Sequence, residues 1–237
     1  GGASPGESYL NEERVVSAAL VSGAQAIHPG YGFLSENAHF AALCRKNGLV
    51  FIGPSPESME ELSDKARLKE IMGRNGLEVI PGTQVLASAQ AALAAAAEIG
   101  YPVMLKASAG GGGRGMRIVS REEDMPKEFK EAIDESKKAF GDDQVFIEKY
   151  LKGPKHVEVQ VLADNYGNVV HLFDRDCSVQ RRHQKVVEYA PAFSVPEASR
   201  QKIFDSAIRL CKQVGYRNAG TCEFLVDSDG NPYFIEM

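Results

Sequence analysis

The sequence predicts a mixed α/β and α+β chain built in three regions. Near the start, short apolar runs ended by Pro or Gly alternate with helical stretches, as in a parallel α/β unit. In the middle, helix and strand signals surround a glycine run. Toward the end, strands with period-two alternation follow one another across turn signals, as in an antiparallel sheet.

With 237 residues, 43% of them hydrophobic, the chain can bury the core of one large domain or of a few small lobes. A net charge of −5 argues against nucleic acid as the main partner, because a phosphate-binding surface shows as a basic excess. No apolar run reaches the roughly 18 residues of a membrane helix, and no signal peptide opens the chain. The expected setting is cytoplasmic, or the mitochondrial matrix in a eukaryote. The cysteines Cys44, Cys177, Cys211 and Cys222 include no C-x-x-C pair and read as reduced thiols.

In residues 1–79, Ala24–His28 and Leu49–Gly53 read as strands, with a helix at Glu36–Lys46. Ser55-Pro56-Glu57 starts another helix, with Ser as N-cap and Pro at the first helical position. The helix that includes Lys65 stops near Asn75-Gly76. Residues 80–150 hold a helix at Ala89–Ile99, a strand at Pro102–Ala107, the glycine run and a strand at Met116–Ser120. A helix at Met125–Phe140 and a strand at Gln144–Glu148 complete this lobe. At about 70 residues it is small for a domain. In residues 151–237, His156–Ala163 alternates as a half-buried strand should, Asp164–Asn168 turns, and Val169–Arg175 returns. A polar loop, a helix from Pro196 to Val214 and a hairpin of Thr221–Asp227 with Pro232–Met237 follow. The chain opens in a loop and ends inside a predicted strand, so both ends read as cut.

Ala109-Gly110-Gly111-Gly112-Gly113-Arg114-Gly115 contains G-x-G-x-x-G. The dinucleotide fingerprint needs a helix after the loop, but Met116-Arg117-Ile118-Val119 reads as strand. The Walker pattern also fails, since no G-K-[ST] follows. What remains is strand, glycine loop, strand. Such a hairpin can fold over phosphates and offer backbone N–H donors, with Lys106 just before it. A bare hairpin tip is the alternative, but so many glycines weaken a hairpin without a ligand to justify them.

Asp229-Gly230 reads as a two-residue turn. Centring the hairpin there sets Glu223 opposite Glu236 on one face, with Phe224 and Ile235 facing the core on the other. Like charges across a strand pair are destabilising. A divalent cation between them and a nucleotide's phosphates resolves the conflict, since Mg²⁺ takes one or two carboxylates plus phosphate oxygens. The alternative is two solvated glutamates on an outer face. The loop from Asp176 to Lys185 is rich in donors and could hold a small anion, or simply be solvated. No His or Cys spacing fits a transition-metal site, and no G-x-S-x-G supports hydrolase chemistry.

Several motifs resemble the biotin carboxylase family along nearly the whole chain. They are His28-Pro29-Gly30-Tyr31-Gly32-Phe33-Leu34-Ser35-Glu36-Asn37, Phe51-Ile52-Gly53-Pro54, Lys106 through Met116, His156-Val157-Glu158-Val159-Gln160, Gln180 through Glu188, and Ala219 through Leu225. The resemblance implies an ATP-grasp fold with part of a Rossmann-like N-terminal lobe (1–79), a glycine-loop lid (80–150) and part of a C-terminal lobe (151–237). It also implies site residues. Lys65, Lys106 and His156 match nucleotide-binding positions, and Gly112 and Gly113 match the phosphate-covering lid. Glu148-Lys149-Tyr150-Leu151 matches the hinge that receives adenine, Lys149 and Leu151 through backbone groups. Gln180 and His183 match residues near the nucleotide, Lys185 a residue near bicarbonate, and Glu223 and Glu236 the metal-binding glutamates.

The implied reaction phosphorylates bicarbonate with ATP and Mg²⁺ (or Mn²⁺), then passes the carboxyl group from carboxyphosphate to biotin on a carrier domain. Lys185, Lys106, Glu223 and Glu236 would be the catalytic set. Implied partners are a biotin carboxyl carrier domain or protein, a carboxyltransferase domain and further copies of the chain. The family continues past the second metal glutamate with residues that this sequence does not contain, and the Ala-Met-Lys-Met biotin-acceptor motif does not occur. The isolated segment is therefore expected to be inactive. Tyr189 stands where many members have a second Glu, and together with Gly215-Tyr216-Arg217-Asn218-Ala219-Gly220-Thr221 this looks more like a pyruvate carboxylase than an acetyl- or propionyl-CoA carboxylase. The alternative functions are another bicarbonate-activating ligase, such as a carbamoyl-phosphate synthetase, or a nucleotide-binding segment without activity.

Overall fold

The computed structural model describes residues 2–63, 71–73, 78–108, 115–181 and 184–237. Lys65, Gly112, Gly113 and His183 lie outside them. In the first region α1 (Glu12–Ser22) is capped by Asn11, whose side chain accepts from Arg14 N, and ends at Gly23 with φ 71°. The short strands β1 (Ala26–Ile27) and β2 (Val50–Phe51) pair in parallel, as the sequence predicts. Between them runs α2 (Ala38–Lys46). Its N-cap is Asn37, whose side chain accepts from Phe40 N and so stops the helix short of Glu36. α3 (Pro56–Ser63) begins as expected, with Ser58 N donating to Ser55 Oγ at 3.1 Å. Val16, Leu34, Phe40, Cys44 and Leu49 form a small core here.

The middle lobe is a three-stranded antiparallel sheet in the order β4–β3–β5, with β3 at Val103–Ala107, β4 at Met116–Val119 and β5 at Val145–Lys149. Two helices, α4 (Ala89–Ile99) and α5 (Met125–Phe140), pack on it. Alternation on the strands sends Val103, Leu105, Val119, Val145 and Ile147 inward, where they meet Ala92, Ala96, Met125 and Phe129. The segment entering this lobe is paired on both sides. Phe234 N donates to Glu78 O and Val79 bridges Phe234, while Thr83 N donates to Ile147 O and Lys149 N to Pro81 O.

The third region is a five-stranded antiparallel sheet in the order β10–β9–β6–β7–β8. Its strands are β6 (Lys155–Ala163), β7 (Val169–Arg181), β8 (Gln184–Tyr189), β9 (Asn218–Val226) and β10 (Pro232–Glu236). Helix α6 (Glu197–Gln213) covers one face, packing Ile203, Phe204, Ala207 and Leu210 against Val157, Val159, Val161 and Phe224. Ser58 Oγ donates to Val214 O at 3.0 Å and ties α3 to the end of α6.

Two expectations need correction. The described part of the basic loop is strand: β7 runs on to Arg181 and β8 returns from Gln184. Register shifts between Asp176 and Gln180 break the period-two pattern there, which hides the strand from a reading by alternation. The final hairpin turns over three residues, with Gly230 N donating to Asp227 O, Asp227 N to Asn231 O, and Gly230 at φ 84°. Phe224 therefore pairs with Phe234, rings 5.6 Å apart, rather than with Ile235. All four cysteines are free and buried. Among the described residues no helix is long and apolar enough to cross a membrane.

Candidate active site

The face of the large sheet turned away from α6 carries the site. Because side chains alternate across a strand, Glu158 projects opposite to the core residues Val157 and Val159. Glu236, Glu223, Glu158 and Arg175 succeed one another as partners across β10, β9, β6 and β7. The Glu223–Glu236 pairing is thus as expected, but it is reached by a β-bulge between Phe234 and Glu236 that offsets the longer turn.

Adjacent carboxylates repel, and cations from neighbouring strands offset this. Lys185 Nζ lies 2.6 Å from Glu223 Oε1 and also contacts Glu158 Oε1. Arg175 Nη2 donates to Glu158 Oε2 at 3.0 Å and Nη1 to Gln160 Oε1 at 3.1 Å. His156 Nε2 lies 2.8 Å from Glu223 Oε2, and its Nδ1 lies 2.8 Å from Gln180 Nε2. Gln180 also donates to Cys177 O at 2.9 Å. An amide NH₂ can only donate, so Nδ1 accepts and Nε2 directs its proton at Glu223. Burial opposes ionisation of Glu223, but hydrogen bonds from His156 and Lys185 outweigh it and lower its pKa. Glu236 moves the other way: desolvation first, then the charge of Glu223, raises it.

His156, Glu158 and Glu223 bring potential metal-ligating atoms within 4.8 Å of one another. Glu236, although the strand partner of Glu223, is not in that group. A second group joins Glu158 and Glu188 to Cys177, whose thiol burial pushes up to about 12. That thiol stays protonated and is a poor ligand. Carboxylate oxygens from Glu158, Glu223 and Glu236 suit a hard cation such as Mg²⁺ or Mn²⁺.

A second set lies on the middle sheet. Lys106 on β3 reaches Glu148 Oε2 on β5 at 2.5 Å. Lys149 Nζ donates to Gly100 O at 2.7 Å, and Tyr150 N donates to Pro102 O at 3.2 Å. Lys149 N–H is bonded to Pro81 O, so it is not available to a ligand; Leu151 follows just beyond the strand. The structure therefore brings Lys185, His156, Gln180 and Glu223 into one network and pairs Lys106 with Glu148. Sequence reasoning gave no role to Glu158, Arg175 or Glu188. The signal for Glu158 was available: it sits two residues after His156 in an alternating strand and so shares its face.

Residues 64–237 match the family model described as "Carbamoyl-phosphate synthase L chain, ATP binding domain", and residues 1–59 match "Biotin carboxylase, N-terminal domain". The chain belongs to the biotin carboxylase family. It is 52% identical, over its whole length and 50% of the relative's, to the 2-oxoglutarate carboxylase small subunit of Hydrogenobacter thermophilus. It is 50% identical, over its whole length and 20% of the relative's, to pyruvate carboxylase 1 of Caenorhabditis elegans. The chain thus spans half or less of the length of these relatives. Among solved structures it resembles the biotin carboxylase domain dimer of Hydrogenobacter thermophilus 2-oxoglutarate carboxylase in complex with MgADP, ADP and bicarbonate. The TM-score is 0.89 at 51% identity, covering all of this chain and 52% of that one. The fold is accordingly the ATP-grasp fold of biotin carboxylases.

Proposed function

We propose that this chain is the nucleotide-binding part of a biotin carboxylase, which uses ATP and bicarbonate to carboxylate biotin on a carrier domain. The observation that carries this is the network in which Lys185 and His156 converge on Glu223. It sits in a chain about half identical to carboxylases, one of which binds MgADP and bicarbonate. Residues 1–79, 80–150 and 151–237 are assigned as N-terminal lobe, lid and C-terminal lobe. In the whole polypeptide the partners are a biotin carrier and a carboxyltransferase, in a homo-oligomer of the cytoplasm or mitochondrial matrix.

Glu223 and Glu236 would hold Mg²⁺, which would neutralise phosphate charge during transfer. Lys65, Lys106 and His156 hold the nucleotide; Glu148, Lys149, Tyr150 and Leu151 border its adenine; Gln180 and His183 lie near it. Lys185 presents its ammonium to bicarbonate. Gly112 and Gly113 close over the phosphates and keep water from carboxyphosphate, which would otherwise hydrolyse.

The test is ATP cleavage by the complete polypeptide that carries this sequence. We expect cleavage that depends on bicarbonate and is stimulated by free biotin. Cleavage indifferent to both overturns the reading. Glu236→Gln should weaken Mg·ADP binding about tenfold or more by calorimetry. It should leave the thermal midpoint unchanged or raised, because it removes a repulsion with Glu223.

A further inference from the structure

Arg175 sits in the middle of the site face and is itself given no part in holding nucleotide, metal or bicarbonate. Its guanidinium contacts Glu158 at 3.0 Å, Gln160 at 3.1 Å and Glu188 at 3.5 Å. Those partners lie on both neighbouring strands, β6 and β8. A planar guanidinium bridging such a set is held in one orientation, whereas an ammonium on a flexible stem is not.

We propose that Arg175 is a positioning residue that acts through Glu158 on Lys185. The inference rests on the reading of Lys185 as the bicarbonate contact. The Glu158 side chain is only 5% exposed, and its two oxygens are divided between two cations: Oε2 takes Arg175 and Oε1 takes Lys185. A buried carboxylate needs compensating charge. With the guanidinium in place, Lys185 need supply only part of it and can lean to Glu223 at 2.6 Å. Without the guanidinium, the whole charge of Glu158 draws on the ammonium, which shifts off Glu223 and turns away from any small anion. Arg175→Lys does not restore the arrangement, because one ammonium cannot span Glu158, Gln160 and Glu188.

A double-mutant cycle in the complete polypeptide tests this, with Arg175→Met, Lys185→Gln and the double variant. Arg175→Met should raise KM for bicarbonate about tenfold and leave KM for ATP within about twofold. In the Lys185→Gln background the same change should cost less than about twofold, since its route of action is already gone. Effects that multiply, or KM values that rise together, overturn the inference and make Arg175 a support of the fold alone. If Arg175→Met does not fold, Arg175→Lys is read in the same way. A crystal structure of the folded variant gives a readout free of activity: Lys185 still 2.6 Å from Glu223 would refute the proposal. A wild-type polypeptide without bicarbonate dependence would instead sink the functional reading, and the position of Lys185 in the variant would still decide the role of Arg175.

Discussion

Asp176 is buried and yet suited to remain charged. Ser178 N donates to its Oδ1 at 2.9 Å, and Tyr189 Oη and Ser194 Oγ donate to its Oδ2 at 2.8 and 2.6 Å. Burial opposes ionisation, but these bonds outweigh it and bring the pKa from 3.8 to about 2. A depressed carboxylate stabilises the fold above its unfolded pKa and loses that contribution as pH falls through the folded one. The contribution is about 2 kcal/mol near neutrality, and it should fade between pH 3.8 and about 2. Urea unfolding of wild type and Asp176→Asn should therefore show a large stability gap at pH 7 that narrows below pH 3. A gap independent of pH would assign the loss to packing instead.

At the scale of elements, the strap of residues 78–83 decides how the middle lobe is held. A Cβ on Gly82 would lie 2.7 Å from Ile147 O and 2.9 Å from Glu148 Cγ, and Ile147 O is backbone that cannot swing aside. Gly82→Ala should push the strap off β5, break the Thr83 and Lys149 bonds, and cost about 1–3 kcal/mol. Its nucleotide affinity should fall as well, since Glu148 and Lys149 shift with the strand; calorimetry with Mg·ADP and thermal unfolding check both. Much of this level was legible in advance. Helices Ala89–Ile99 and Met125–Phe140 match the expected bounds, because Ser88 caps the first and glycines end both. The glutamate pair was legible too, although the assumed turn was one residue short and a bulge restored the match. The Glu158–Arg175–Lys185 network was not, because it depends on β6 lying between β9 and β7, and strand order is not a local property of the sequence.

At the scale of the whole molecule, the three separate cores among the described residues imply unequal resistance to opening. The first region has the smallest core and a parallel pair of strands only two residues long, with Val50 62% exposed. Its amides on α1 and α2 should exchange at lower opening free energy than those of β6 and β9, which lie inside the large sheet. Uniform protection in native-state hydrogen exchange would show that the cores open as one. The cysteines have a practical consequence for following such motions. All four are 0% exposed, and burial raises the pKa of Cys44 and Cys177, leaving little reactive thiolate. Thiol-directed dyes should thus find almost nothing to label in the native chain. Cysteines introduced at the exposed positions Lys138 and Asn165 would carry a donor and an acceptor fluorophore without removing any natural thiol. The distance between the middle lobe and the large sheet could then be watched in single molecules as nucleotide is added.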